Sequence, residues 1–553
     1  MPYPRTVAQI EAEIATLAAN AAYAGFLSVS DLPHSTVEGR KLKLLKLGTG
    51  PVHVLIVGGI HSREWAPPDA LLEWVAKMLE AKRLASNVAD PAFFWPISDM
   101  DSDDGAYVGA ITFDSAVIID APSVNRIFTN CSIFVIPCVN PDGRNFTFTP
   151  GNRDWRKNRN PLGVPCGEVG VDINRNFPTG WEFRKYYNAA AITPAEVRVI
   201  DNPCPDLGQV YHGTAAASEP ETKNVISVLT GNNIRFFLDV HAFQREIYYS
   251  WGLNPNQNSD PSKTFLNTTL DASGGVGGRP VGNLATYGEY IPGSSFETNY
   301  VLCANAIHNA IVANAGANPH ARARSDYKVK QSFSLYSAPG DSADHVFATQ
   351  LVASGNSAVV NAKFPVYAFT IETGEKHGAE GGFQPSPTQY LKIRREIWSA
   401  VSALSGFASS WSAAAVSAPA PPAPAPSSSL FDCFIATTVY GDPQHQQVQF
   451  LRHFRDVDMR THAFTSSLMD AVVSVYNVYG PKAAAFCANR KFLSAAIRWT
   501  LLEPLIWLMS GAKIICKRIS PRVNYGLVLT LALMSVLIIL LFVFFSKMIH
   551  LIN

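Results

Sequence analysis

Apolar residues fall along this chain in two rhythms. Short runs rich in β-branched and aromatic residues, His53–Val57 (HVLIV), Ser132–Val139 (SIFVIPCV), Ile234–Val240 (IRFFLDV) and Pro365–Ile371 (PVYAFTI), predict strands. Between them, Ala70–Leu79 and Thr388–Leu404 carry apolar positions at helical spacing. Residues 1–26, with Arg5, Glu11 and Glu13 among small and apolar neighbours, predict an amphipathic helix and not a signal peptide. Strands alternating with helices predict an α/β layered domain over residues 1–410.

Both rhythms stop at Ser412–Ser429 (SAAAVSAPAPPAPAPSSS), where Ala, Pro and Ser without periodic apolar positions favour extended chain, so 411–429 is expected to be a linker. Beyond it, residues 430–524 carry charged amphipathic segments around FLRHFRDVDMR and predict a small helical module lying along an interface. Gly526–Phe545 is uncharged and long enough for the roughly 20 residues a spanning helix needs. Residues 525–546 are therefore expected to be a transmembrane anchor. Lys513, Lys517, Arg518 and Arg522 precede it, and the positive-inside rule holds that flank in the cytoplasm. With one span the α/β domain then faces inward; a second span at Thr500–Ala512, weakened by Arg498, Glu503 and Pro504, would turn it outward.

Composition narrows the chemistry. A net charge of +1, from 45 Lys plus Arg against 44 Asp plus Glu, offers no electrostatic footprint for a polyanion and argues against nucleic acid as a partner. Eight cysteines over 553 residues, without a CxxC pair, argue against a thiolate zinc site. Any metal needs other ligands.

The run GGIHSREWAPPDALLEW supplies two of them. A strand ends in a glycine turn and presents His61 and Glu64 before a helix whose first turn tolerates Pro67 and Pro68. An HxxE pair alone arises by chance in many long chains. FFLDVHAF adds His241 at the carboxyl end of a later strand, where open α/β sheets gather their ligands. Two imidazoles and one carboxylate leave zinc an open position, the mark of a catalytic rather than a structural site. The same trio would accept cobalt.

Together these motifs resemble the zinc carboxypeptidases of the A/B type over approximately residues 5–410. The resemblance implies a mixed central sheet flanked by helices, one zinc ion on His61, Glu64 and His241, and hydrolysis of the last peptide bond of peptide or protein C-termini. FPVYAFTIETGE is similar to the strand that ends in the family's catalytic glutamate, which makes Glu372 the general base and the proton donor to the leaving amine. GVDINRNF resembles the clamp for the substrate's terminal carboxylate, assigning that role to Asn174 and Arg175, with Asp172 orienting His61. NRDWRKNR likewise assigns Arg156 to the oxyanion, and Arg63 lies along the substrate path. SLYSAPGDSADHVF resembles the mobile loop with the tyrosine that caps the site, here Tyr336.

Seven residues beyond that tyrosine stands Ala343, where pancreatic-type relatives carry an apolar residue or an aspartate. Asp341 is similar in place to an acid of bacterial relatives. The pair implies that both large apolar and Lys or Arg C-terminal residues are accepted. Cys166 and Cys204 match a family disulfide, although no signal peptide is seen. Phe243 stands where many members have tyrosine, and Thr373, Gly374 and Glu375 replace the commoner arginine-containing stretch. Residues 1–50 are too few for an inhibitory prodomain. CFIATTVYG followed by LRHFRD resembles a module appended to various prokaryotic proteins, the CFI box, and implies no activity. Two rival readings stand beside this one. One is a membrane-tethered pseudoenzyme that binds C-termini, which normally lacks a ligand or the base. The other is an amidase or carboxypeptidase on cell-wall peptides, against which Asn174, Arg175 and Tyr336 argue.

Overall fold

The computed structural model describes residues 3–411 apart from 98–108, 194–195, 205–208, 255, 274–275, 281–286, 333–335 and 375–381. These belong to one compact unit, Met1–Pro421. Residues 412–429 of the expected linker, the 430–524 module and the apolar run 526–545 lie outside the described residues. Among the described residues no helix is long and apolar enough to cross a membrane.

Eight strands make the main sheet: β1 (Leu27–Ser35), β2 (Lys41–Leu47), β3 (Val52–Gly58), β4 (Cys131–Ile136), β5 (Ile234–Ala242), β6 (Glu246–Tyr249), β7 (Lys328–Gln331) and β8 (Tyr367–Thr373). Their order is β1-β2-β4-β3-β5-β8-β6-β7. The central β4, β3, β5 and β8 run parallel. Antiparallel pairings join β1 to β2, β2 to β4 and β6 to β8, so the sheet is mixed. Nearly every residue of the central strands is buried. Successive strand residues point to opposite faces, so both faces of this centre are covered.

The covering helices include α1 (Val7–Ala19), α2 (Ala66–Leu84), α3 (Ala121–Asn130), α4 (Pro141–Thr147), α5 (Pro220–Gly231), α6 (Ser294–Asn314), α7 (Ser342–Ala348) and α8 (Pro387–Ser410). The last of these packs against α2, α3 and α6. A capping box of Ser386 and Gln389 with Pro387 in the first turn starts α8, and Thr6 with Gln9 starts α1 in the same way. The run Ser132–Val139 leaves the sheet early, at Ile136, because Pro137 has no N–H for a ladder. The run Pro365–Ile371 is displaced two residues later for the same reason, and the shift brings Glu372 into β8.

One ion network ties the start of the chain to the sheet's upper edge. Arg5 is fully buried and pairs with Asp69 and Glu73 of α2 and Glu13 of α1. Arg144 of α4 pairs with Asp69 and donates to the carbonyls of Arg5 and Trp65. Paired in this way the buried charges are tolerated, and they hold the loop that carries His61 and Glu64 against α4.

Candidate active site

The strands β3, β5 and β8 all end at one edge, and the chemistry sits there. Past Gly58, Gly59 takes φ of +64°, where an added Cβ would stand 2.7 Å from Pro68, so the turn that delivers His61 needs glycine. His61, Glu64 and His241 are buried and offer one donor atom each within 4.8 Å of one another. His61 Nδ1 lies 2.7 Å from Glu64 Oε1, His241 Nδ1 lies 3.1 Å from Glu64 Oε2, and the two Nδ1 atoms are 3.1 Å apart.

The far nitrogens face carboxylates: His61 Nε2 lies 3.3 Å from Asp172 Oδ1, and His241 Nε2 lies 2.8 Å from Asp239 Oδ2. A carboxylate beside Nε2 draws the proton there and leaves the Nδ1 lone pair facing the cluster. Burial works against charge on Glu64, yet the two imidazoles hold its carboxyl far below the usual range. Burial works against Asp172 too, and the Arg156 guanidinium with His61 more than offsets it. Donor types, depth and orientation therefore fit zinc.

Glu372 is the register partner of His241 on the neighbouring strand, so the two side chains leave the sheet on the same face. Burial pushes the Glu372 carboxyl up to about 7, with Glu64 adding to the rise and His241 and Arg156 opposing it.

The sequence profile of the family described as zinc carboxypeptidase matches residues 12–94 and 117–400. The chain belongs to the zinc carboxypeptidase family. The unmatched stretch between the two segments holds most of a hairpin, Phe93–Ile97 against Gly109–Phe113, that packs Trp95, Ile111 and Phe113 on Ala315 and Ala321. Carboxypeptidase B of Astacus astacus is 31% identical over 264 residues, which are 46% of this chain and 68% of that one. Carboxypeptidase A1 of Sus scrofa is 30% identical over 231 residues, 41% of this chain and 42% of that one. Carboxypeptidase B of Helicoverpa zea is matched over only 39% of its length. A solved structure, bovine thrombin-activatable fibrinolysis inhibitor in complex with tick carboxypeptidase inhibitor, aligns with TM-score 0.46 and 20% identity, covering 73% of this chain and 97% of that chain.

Around the His-Glu-His cluster stand the other residues singled out from sequence. Arg156 donates from Nε and Nη2 to Asp172 Oδ2, at 3.1 and 2.9 Å. Asn174 gives its backbone N–H to Asp172 Oδ1 and receives the Ser342 N–H on its own Oδ1, which leaves its amide N–H donors for a ligand. Arg175 is fixed by bonds to the carbonyls of Arg198 and Asn174, both 2.6 Å. The Arg198 guanidinium lies over the Tyr336 ring, 4.6 Å from its centre; residues 333–335 just before that tyrosine are outside the described set. Arg63 lies 4.0 Å over the ring of Phe383, which meets Phe243 edge-on; burial and the nearby Arg156 pull its pKa down to about 10.

Asp341 caps α7, with Oδ1 accepting the Asp344 N–H at 2.9 Å. Its Oδ2 has no hydrogen-bond partner among the described residues, and burial pushes its carboxyl up to about 6. Ala343 is buried in the same helix. Cys166 and Cys204 form a disulfide with Cα atoms 6.0 Å apart.

Sequence reasoning passed over Asp239, Gly252 and Ser342. Asp239 carried a signal: it lies two positions before His241 on a strand and so shares its face. Gly252 carried none, because its Cα meets Asp341 only after the fold is formed: an added Cβ would stand 3.0 Å from Asp341 Oδ2.

Proposed function

We propose that the chain is a zinc-dependent carboxypeptidase that removes C-terminal residues from peptides, accepting both apolar and basic side chains. The reading is carried by one observation: a buried His-Glu-His cluster with a carboxylate, Glu372, in register beside its second histidine. When bound, zinc supplies Lewis acidity to the reaction.

The chain's own groups do the rest. Asn174 and Arg175 hold the substrate's terminal carboxylate, the guanidinium offering a planar fork for it. Arg156, anchored by Asp172, keeps one arm of its guanidinium for the negative charge that develops on the scissile carbonyl oxygen. Glu372 takes a proton from the attacking water and returns it to the leaving amine. Tyr336 closes over the bound residue and excludes bulk water. Asp341, whose Oδ2 has no hydrogen-bond partner among the described residues, receives a Lys or Arg side chain. The apolar run Gly526–Phe545 anchors the chain in a membrane.

The test is release of free amino acids from peptides ending in Phe, Leu, Lys or Arg by the detergent-solubilised full chain, with and without a zinc chelator. Glu372→Gln should lower the rate by 10²-fold or more while zinc remains bound, since it keeps the shape and removes the base. No release by the zinc-loaded parent would sink the proposal in favour of C-terminus binding or a cell-wall substrate.

A further inference from the structure

A single buried serine touches both halves of the candidate active site. Ser342 opens α7 and is fully buried. Its hydroxyl donates to Asp239 Oδ2, the oxygen that also lies 2.8 Å from His241 Nε2. Its backbone N–H donates to Asn174 Oδ1 at 2.9 Å. Asp239 Oδ1 is buried and has no hydrogen-bond partner among the described residues. Among the described residues the serine hydroxyl is therefore the hydrogen bond that sets the rotation of that carboxylate, with the imidazole of His241 beside it as an ion-pair neighbour.

We propose that Ser342 is a positioning residue that locks the metal-ligand half of the site to the carboxylate-clamp half. Its hydroxyl holds Asp239, and Asp239 holds the tautomer and tilt of His241 so that Nδ1 faces Glu64 and His61. Its N–H occupies the oxygen of the Asn174 amide, so the amide must offer its nitrogen to an incoming carboxylate. The kinetic side of this inference rests on the carboxypeptidase reading; the metal side does not.

The two bonds separate by mutation. Ser342→Ala removes the hydroxyl and keeps the backbone donor, so its effect falls on the metal and leaves the clamp. Zinc affinity of the full chain is measured by chelator competition, beside thermal unfolding and steady-state kinetics. The expected result is a zinc Kd raised roughly tenfold and kcat lowered to a similar extent, with KM changed less than about twofold. Ser342→Thr, which keeps the hydroxyl, restores both. In an Asp239→Ala background the Ser342→Ala change adds nothing further to zinc affinity, because the acceptor it acts through has gone.

A serine that merely satisfies its own polar atoms would lower thermal stability and leave Kd and kcat at parental values, and that outcome overturns the inference. Should Ser342→Ala fail to fold, Ser342→Cys decides: a thiol is a poor donor, so zinc affinity equal to that of Ser342→Thr overturns it equally. Zinc affinity that responds in a chain without peptidase activity would sink the proposed function and leave this link standing. Peptide hydrolysis with unresponsive zinc affinity would do the reverse.

Discussion

The two oxygens of Asp341 stand in different surroundings. Oδ1 caps α7, while Oδ2 has no hydrogen-bond partner among the described residues and lies close to Gly252, where an added Cβ would stand 3.0 Å away. Removing the whole side chain would mix a lost cap, which costs about 1 kcal/mol, with lost recognition. Asp341→Asn separates them, because an amide oxygen still caps while the charge disappears. Cleavage of Lys- and Arg-terminal peptides is expected to fall roughly 10- to 100-fold in kcat/KM, equivalent to about 1.4 to 2.8 kcal/mol, with Leu- and Phe-terminal peptides held within a few fold. Equal loss on both classes would sink the role in specificity. Burial raises this carboxyl to about 6. Only the ionised form pairs with a cation, so the preference for Lys over Leu should grow as pH rises from 5 to 7.5. Rates on matched peptides at the two pH values check it.

At the scale of elements, the turn before α7 has no freedom to change. Gly340 has φ of +77°, and a Cβ there would stand 2.3 Å from the Arg175 carbonyl. Gly340→Ala must therefore push the segment carrying Asn174 and Arg175. KM is expected to rise about tenfold or more with a smaller change in kcat, beside a stability loss of about 1–3 kcal/mol. Unchanged KM would mean that the clamp does not depend on this contact.

The first turn of α5 buries another carboxyl. Glu221 is fully buried, its Oε2 accepts from Asn158 at 3.1 Å, and burial pushes its pKa from 4.5 up to about 8. A raised carboxyl contributes stability that is complete below the unfolded pKa, near 4.5, and is lost as pH climbs through about 8. Glu221→Gln keeps the neutral shape. In urea unfolding it should match the parent near pH 5 and exceed it by on the order of 2–4 kcal/mol at pH 8.5. A variant less stable at both values would show that charge is needed there.

Such elements explain what was legible in the sequence. The central strands announced themselves because both faces are buried and nearly every residue is apolar. The two strands at one side of the sheet, β6 and β7, did not: four residues each, with Glu246, Lys328 and Lys330 among them, they give no run to detect. Asp239 breaks the apolar pattern of β5, and the reason is the histidine two residues on; a local rule fails where chemistry demands it. The metal motifs were readable because each is a short continuous string, whereas Ser342 and Gly252 matter through partners a hundred residues away or nearly so.

For the whole molecule, the position of α8 fixes where the chain can be shortened. The Trp398 indole donates to the Ala70 carbonyl and the Trp74 indole to Ser402 Oγ, both at 2.9 Å, so α8 is bonded to the helix that follows the HSRE loop. Trp411 packs against Phe236 of β5 just beyond the helix end. A chain ended at Ser386 loses this layer and exposes the apolar surface of α2, and it is expected not to fold. A chain ended at Pro421 keeps every described contact and should retain the zinc affinity and peptidase activity of the full chain. A chain ended at Tyr525 removes Gly526–Phe545 and keeps the 430–524 module, so it separates the apolar run from that module. The full chain is expected in the membrane fraction, resisting extraction at alkaline pH and released by detergent, while the chain ended at Pro421 stays in the supernatant. Recovery of the full chain in the supernatant would refute the anchor and leave the catalytic reading untouched, because no residue assigned to the metal or to the chemistry lies beyond Glu372.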